Sequence, residues 1–316
     1  MKRLVIFFMV CVLLTTSLFA RPRQDSGSGA VKVVTTVFPP YDFVRAIAGD
    51  KVQVTMLLPP GAESHSFEPT PRDIVRIQSC DIFVYVGGES DAWAERILDS
   101  IESVKTGKVK VLALMDMVEV VEEEIVEGME EEEEEEEGEE AEYDEHVWTS
   151  PRNAKLIVQS LTGALCEADS ANAALYRQNA ADYQAKLDQL DSAFKAVVDG
   201  ARRRTIIFGD RFPFRYFADA YGLSYYAAFP GCSTETECSA ATIAFLIDKI
   251  RDEGIPVIFH IELSNEKIAD TISEATGAKK LLLHACHNVS RREMDDHASY
   301  LALMQGNVER LREALH

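Results

Sequence analysis

Residues 170–201 read SANAALYRQNAADYQAKLDQLDSAFKAVVDGA, a stretch that is rich in Ala, Leu, Gln and Lys and contains no Pro. Its apolar residues recur at the three- and four-residue spacing of one helix face, at Leu187, Leu190, Phe194 and Val197. The stretch therefore predicts one long helix. Short apolar or β-branched segments lie on both sides of it, in two groups of four: 31–37, 52–58, 81–86 and 109–114, and then 205–208, 224–229, 256–260 and 279–283.

Helical segments separate most of these predicted strands, and such alternation is typical of parallel sheets covered by helices. We therefore predict an α/β fold of two Rossmann-like lobes, each with a mainly parallel four-stranded sheet. The predicted boundaries are 31–168 for the N-terminal lobe, 169–200 for the linking helix and 201–316 for the C-terminal lobe. Ligands of open parallel sheets bind beyond the carboxyl ends of the strands, so the expected site is the cleft between the lobes.

The N-terminus reads MKRLVIFFMVCVLLTTSLFA, with a basic start, an apolar run over 4–14 and small or polar residues up to Ala20. This pattern is typical of a cleaved secretory signal peptide, and the apolar run is shorter than the roughly 20 residues that span a bilayer. We therefore expect residues 1–20 to be removed and the mature protein to be periplasmic. Cys11 lies inside the apolar run, where it is poorly placed for lipid attachment.

Beyond the signal peptide the chain has an odd number of cysteines for an oxidising compartment, which allows at most two disulfides. Cys232 and Cys238 flank a short segment and are one possible pair. The pairing stays open among all five: Cys80, Cys166, Cys232, Cys238 and Cys286.

The net charge of -21 is concentrated in one segment. Residues 119–145 contain 17 Glu, one Asp and no Lys or Arg, and residues 130–137 are all Glu. Such a segment cannot bury apolar surface and repels itself, so we expect a disordered acidic loop over 119–145. It is either a solubilising insertion or a loose trap for cations, because carboxylate oxygens attract hard divalent ions.

Histidines occur at several positions where loops are expected to converge on the cleft. His65 follows the second predicted strand, His146 follows the acidic loop, His260 ends the seventh strand, and His284 and His287 follow the eighth. Neutral imidazoles suit Zn²⁺, whereas an all-oxygen set would suit Mn²⁺ or Mg²⁺ better. The pattern therefore predicts a metal site in the cleft.

Five segments resemble the zinc- and manganese-binding solute receptors of bacterial ABC metal uptake systems. They follow one another over nearly the whole chain: TTVFPPYDFVRAIAGD, LLPPGAESHSFEPTP, DIFVYVGG, HVWTSPRNA and YLALMQGNVERL. The resemblance implies two α/β lobes joined by a rigid helix, one metal ion in the cleft, and a charged flexible loop before the second metal-binding histidine. It also implies a membrane ABC permease with its ATPase subunit as partner. We expect a monomer with no nucleic-acid partner.

Carried over residue by residue, the resemblance assigns the first metal ligand to His65 and the second to His146. The C-terminal lobe departs from the family pattern. Members usually have a His or Glu followed by Asp after the fifth strand, whereas this chain has Gly209 at that position. Glycine has no side chain with which to coordinate a metal ion.

The last family ligand, usually an Asp after the eighth strand, is replaced here by His284. We therefore expect His284 and His287 to complete a site that begins with His65 and His146. Three further residues are possible substitutes in this lobe: His260, Glu262 and Asp210.

The predicted function is capture of Zn²⁺ in the periplasm and its delivery for import, and the alternative is a manganese or other divalent-cation receptor of the same family. A zinc-dependent hydrolase ranks lower, because it needs an open coordination position and a general base such as Glu262 or Asp210. The sequence contains no HExxH motif. We therefore predict a binding protein and not an enzyme.

Overall fold

The computed structural model describes residues 30–64, 66–129, 142–233 and 238–316. The predicted signal peptide at 1–20, His65 and the Glu run at 130–137 lie outside the described residues. In the part of the chain that is described, no helix is both long and apolar enough to cross a membrane.

The strands form two parallel four-stranded sheets. Their bounds are β1 Val31–Thr35, β2 Val52–Met56, β3 Ile82–Tyr85, β4 Lys110–Ala113, β5 Thr205–Arg211, β6 Ser224–Phe229, β7 Val257–His260 and β8 Lys279–Leu282. The first sheet has the order β2-β1-β3-β4 and the second the order β6-β5-β7-β8, with every pair parallel. Each predicted strand segment overlaps one observed strand, and the predicted α/β fold with two parallel sheets is confirmed.

Helices connect and cover the strands. Their bounds are α1 Phe38–Ala48, α2 Pro71–Ser79, α3 Ala92–Leu98, α4 Glu102–Lys105, α5 Pro151–Ala168, α6 Ala173–Asp199, α7 Arg215–Tyr221, α8 Ala240–Glu253, α9 Lys267–Thr276, α10 Arg291–Asp295 and α11 Tyr300–Leu315. Local signals begin several of them. Thr70 and Asp73 form a capping box at α2, and Pro151 occupies the first position of α5, where its missing N–H costs nothing.

The long helix α6 packs against elements of both halves of the chain. It contacts α1 and α5, which precede it, and α7 and α11, which follow it. Its buried face repeats at alternating four- and three-residue steps, as the sequence pattern predicts. The buried residues on this face are Tyr176, Ala180, Tyr183, Leu187, Leu190, Phe194 and Val197.

One continuous apolar core includes residues of both sheets. It contains Val33 and Ile82 from the first sheet, and Ile206 and Phe259 from the second, together with the buried face of α6. Because side chains of the two lobes pack into the same core, the loops at their strand ends are held in fixed relation to one another.

Residues at both ends of the 119–145 segment, here called its flanks, are ordered, contrary to the expectation of a disordered loop over all of 119–145. Glu122 forms an isolated antiparallel bridge with Tyr143. The N–H of Glu123 donates to the carbonyl of Glu142 at 2.9 Å, and the N–H of Asp144 donates to the carbonyl of Val121 at 3.0 Å. Backbone pairing therefore holds the two flanks next to each other.

The flanks also dock on the C-terminal lobe. The Cys232 N–H donates to Glu123 Oε1 at 2.8 Å, and the Tyr225 hydroxyl donates to Glu124 Oε2 at 2.9 Å. Glu124 forms an ion pair with Arg215. These contacts with the C-terminal lobe hold the flanks in place, although the acidic composition of the segment predicts disorder.

Candidate metal centre

A small cavity lies between the two lobes, beyond the carboxyl ends of β2, β5, β7 and β8. Its free volume is about 30 Å³, which is room for a single ion with a water, since one water needs roughly 10–15 Å³. The polar residues that line it are Glu63, Ser64, His146, Arg211, Glu262, His287 and Asn288. The cleft predicted from the strand pattern therefore contains imidazoles, carboxylates and one guanidinium.

His146 enters the cavity from the N-terminal lobe, where it directly precedes the 3₁₀ turn Val147–Thr149. It is buried, and its Nδ1 lies 3.1 Å from Asp144 Oδ1, which also accepts the His146 N–H at 2.7 Å. Burial disfavours the charged imidazole, but the carboxylates of Asp144, Glu145 and Glu123 together raise the pKa of His146. A carboxylate at Nδ1 directs Nε2 toward a metal ion and makes it a stronger ligand.

His287 enters the same cavity from the C-terminal lobe, on the loop that follows β8. Its ring centroid lies 5.1 Å from that of His146, at an interplanar angle of 85°. Its Nδ1 lies 3.2 Å from Ser64 Oγ, and its ring packs on Trp148 with centroids 4.9 Å apart. Two imidazoles from opposite lobes therefore meet at one point, each with a polar neighbour at Nδ1.

Glu262 holds the loop that carries His287. Its Oε2 accepts the N–H of Ala285 at 2.6 Å, and its Oε1 accepts the N–H of His287 at 2.9 Å. Between these two residues Cys286 has a φ of 61°, a left-handed conformation that costs a non-glycine residue of order 1–3 kcal/mol. One carboxylate therefore fixes a strained turn in the orientation that points His287 into the cavity.

The same loop is tied to the segment that precedes His65. The Asn288 side-chain amide donates to the carbonyls of Pro59 and Ala62, both at 2.8 Å, and the Gly61 N–H donates to the Val289 carbonyl at 2.8 Å. These bonds link residues more than 220 positions apart. They bring Ser64, the neighbour of His65 in sequence, beside the His287 ring.

The structure does not bring His284 to this pair of histidines. His284 is buried outside the cavity lining, with Nδ1 accepting the Cys286 N–H at 2.9 Å and Nε2 3.6 Å from Glu293 Oε1. Burial disfavours its charged form, but Glu262 and Glu293 raise its pKa, and the His284 contact in turn lowers the pKa of Glu293 to about 2. His284 is therefore part of a polar network beneath the loop, together with Glu262 and Glu293.

The family model described as "ZnuA: Zinc-uptake complex component A periplasmic" matches residues 33–314. The chain belongs to the ZnuA family. It is 33% identical over 294 residues to the high-affinity zinc uptake system protein ZnuA of Bacillus subtilis (strain 168), covering 92% of this chain and 89% of that protein.

Two solved structures share the fold. The metal-dependent lipoprotein YcdH of Bacillus subtilis matches with a TM-score of 0.76 and 30% identity, covering 90% of this chain and 100% of that one. The Zn(II)-bound ZnuA-like domain of Streptococcus pneumoniae AdcA matches with a TM-score of 0.74 and 27% identity, covering 91% of this chain and 99% of that one.

Gly209 does not face the cavity of this ZnuA-family chain. A Cβ on Gly209 would lie 2.6 Å from the Cα and 2.7 Å from the backbone N of Ala269, so the glycine lets α9 pack directly on β5. The pairing register of β5 shifts between Phe208 and Arg211, and such irregularities redirect side chains. Arg211 is the residue at this strand end that lines the cavity, and neither the strand pattern nor the resemblance identified it.

Of the three substitutes, only Glu262 lines the cavity. The Oδ2 of Asp210 accepts the Ile261 N–H at 3.2 Å and its Oδ1 accepts the Arg211 N–H at 2.9 Å, so this carboxylate joins two strand ends. The Nδ1 of His260 lies 3.1 Å from its neighbour's carbonyl oxygen. Within the described ranges, no three His, Cys, Asp or Glu side chains are grouped closely enough to hold a metal ion.

Proposed function

We propose that this protein is a periplasmic zinc receptor that captures Zn²⁺ in the cleft between its lobes and delivers it to an ABC permease for import. The observation that carries the proposal is the pair His146 and His287. The two rings come from opposite lobes, line one ion-sized cavity and lie 5.1 Å apart. Membership of the ZnuA family and the zinc uptake function named for its relatives support the same conclusion.

For the ligand set we propose His65, His146 and His287. His65 follows Ser64, whose hydroxyl lies 3.2 Å from His287 Nδ1, so the chain reaches the cavity at the residue before His65. A third ligand from outside the described ranges also agrees with the lack of a three-residue cluster within them. His284 in this proposal supports the loop and does not bind the ion.

Three imidazoles favour zinc over the manganese alternative. Nitrogen ligands suit Zn²⁺, and divalent ions bind such sites in the order that places Mn²⁺ weakest among the first-row metals. The Asp144 carboxylate at Nδ1 of His146 makes this imidazole a stronger metal ligand, and in this proposal Asp144 does not itself coordinate the ion.

The cavity argues for binding and not for hydrolysis. A hydrolase needs a carboxylate available to accept a proton from metal-bound water. Glu262 is committed to the N–H groups of Ala285 and His287, and Asp210 does not line the cavity. We propose that the mature protein is exported after removal of residues 1–20 and acts as a monomer with the permease and its ATPase subunit.

The test is zinc affinity measured by competition with a chromophoric chelator. His146→Ala and His287→Ala each remove an imidazole and should weaken zinc binding more than 100-fold, because loss of a group behind a ligand already costs about 10–100-fold. His297→Ala is the control, since His297 is exposed beyond α10. Wild-type affinity in His287→Ala would refute the proposed site.

A further inference from the structure

Arg211 places a fixed positive charge in a cavity proposed to bind a cation. Its side chain is only 11% exposed, and its Nη1 lies 3.2 Å from Glu63 Oε1 and 3.1 Å from the Ser233 carbonyl. A guanidinium stays protonated and only donates hydrogen bonds, so Arg211 cannot coordinate a metal ion. Its effect on the ion must come through the groups that it holds.

Among the described residues that line the cavity, two carry carboxylates, Glu63 and Glu262. Both oxygens of Glu262 accept backbone N–H groups of the loop after β8. For Glu63, Oε2 accepts the N–H of Ser66 at 3.0 Å and Oε1 accepts the guanidinium of Arg211. The Oε2 of Glu262 also lies 3.5 Å from Nδ1 of His284, in its own lobe. Of these four carboxylate oxygens, the Oε1 of Glu63 alone is paired with a side chain from the opposite lobe.

We propose that Arg211 is a specificity-determining residue, which holds the Glu63 carboxylate away from the ion so that the site presents nitrogen ligands only. The inference rests on the proposed zinc site. Mn²⁺ and Mg²⁺ bind through carboxylate oxygens and take more ligands than Zn²⁺ does. Both carboxylates of the described cavity lining are engaged by protein donors, and the buried guanidinium neutralises the Glu63 charge that would otherwise attract these ions.

The proposal predicts what happens when the guanidinium is removed. Arg211→Met keeps a long side chain but frees Glu63 Oε1, so Mn²⁺ affinity should rise at least 10-fold relative to Zn²⁺ affinity. In the double variant Arg211→Met/Glu63→Gln the carboxylate is gone, and the gain in Mn²⁺ affinity should disappear. Arg211→Lys keeps a positive charge beside Glu63 and should stay close to the wild-type ratio.

The matched control is Arg215→Met, because Arg215 pairs with Glu124 and Asp219 and does not line the cavity. Both dissociation constants are measured by chelator competition on the full mature chain, and thermal unfolding of each variant is followed by circular dichroism. If Arg211→Met does not fold, Arg211→Leu gives the same test, since leucine likewise donates no hydrogen bond to Glu63.

An unchanged ratio of Zn²⁺ affinity to Mn²⁺ affinity in a folded Arg211→Met or Arg211→Leu variant would overturn the proposal. So would a gain in Mn²⁺ affinity that persists in the double variant, because the gain would then come from loss of the positive charge and not from the carboxylate. Failure of the wild-type protein to bind zinc would instead refute the proposed function. The two failures are therefore distinguishable.

Discussion

Replacing Glu262 with Ala should weaken zinc binding although Glu262 is not proposed as a ligand. The substitution leaves the N–H groups of Ala285 and His287 without their acceptor, and these residues are only 1% and 8% exposed. A buried donor left unsatisfied costs roughly 1–3 kcal/mol, so the two together cost about 2–6 kcal/mol in the conformation that binds zinc. Without these bonds, Cys286 can leave its left-handed conformation in the metal-free protein, and zinc binding must then restore that conformation.

That cost lowers zinc affinity to the extent that the metal-free loop relaxes. At about 1.4 kcal/mol per factor of ten, the expected loss is roughly 30-fold to 10⁴-fold. The zinc affinity of Glu262→Gln should lie between those of Glu262→Ala and the wild type. The carbonyl oxygen of the glutamine still accepts one of the two N–H groups, whereas its amide group faces the other. Glu274→Ala, on the exposed face of α9, is the control.

The assay is chelator competition for zinc, together with the visible absorption spectrum of the Co²⁺-loaded protein. A positioning role predicts weaker binding with a tetrahedral spectrum retained at saturation, whereas loss of a direct ligand would change the spectrum as well. Wild-type zinc affinity in Glu262→Ala would refute the reasoning, because it would mean that the strained turn holds its conformation without the carboxylate.

Two further predictions concern stability. Gly209→Ala should lower the free energy of unfolding by about 1–3 kcal/mol, because the new Cβ would collide with the Ala269 backbone. Gly163→Ala is the control: Gly163 lies in helix α5 with open space around it, so this substitution should stabilise the protein. Equal changes in the free energy of unfolding for the two variants, measured by chemical denaturation, would contradict the prediction. Burial raises the pKa of Asp42 to about 6, although the hydrogen bond from the Tyr300 N–H acts in the opposite direction. The folded state therefore binds a proton on Asp42 more tightly than the unfolded chain does. The protein loses stability as the pH rises from about 4 to 6, because the folded state must then give up this proton. Asp42→Asn should therefore gain up to about 3 kcal/mol relative to wild type between pH 4 and pH 7, and a difference independent of pH would show that Asp42 is not protonated in the fold.

Local sequence patterns were sufficient to predict the strands and the long helix. Apolar segments bounded by turn residues gave strand positions close to those observed, because a buried parallel strand needs a continuous apolar run whatever it packs against. The face of α6 that carries Leu187 and Phe194 was predicted for a similar reason, since the helical period alone determines which side chains share a side. The family motifs likewise placed His146 in the cleft.

The arrangement of the C-terminal half of the site depends on tertiary contacts. His284 and His287 are equivalent as sequence candidates, but the left-handed turn at Cys286, held by Glu262 from the neighbouring strand end, directs His287 alone into the cavity. Arg211 lines the cavity because the register of β5 shifts before it.

The flanks of the acidic segment also differ from what their composition predicts. Glu124, for example, is fixed by Tyr225 and Arg215, which lie about a hundred positions away in the chain. Composition and periodicity therefore predicted the strands and the long helix, and the resemblance of the quoted motifs predicted the family of this protein. The direction of a side chain on a loop, and the order of a charged segment, were decided by partners distant in sequence, because a single hydrogen bond or ion pair across the fold leaves no periodic signal in the residues that it joins.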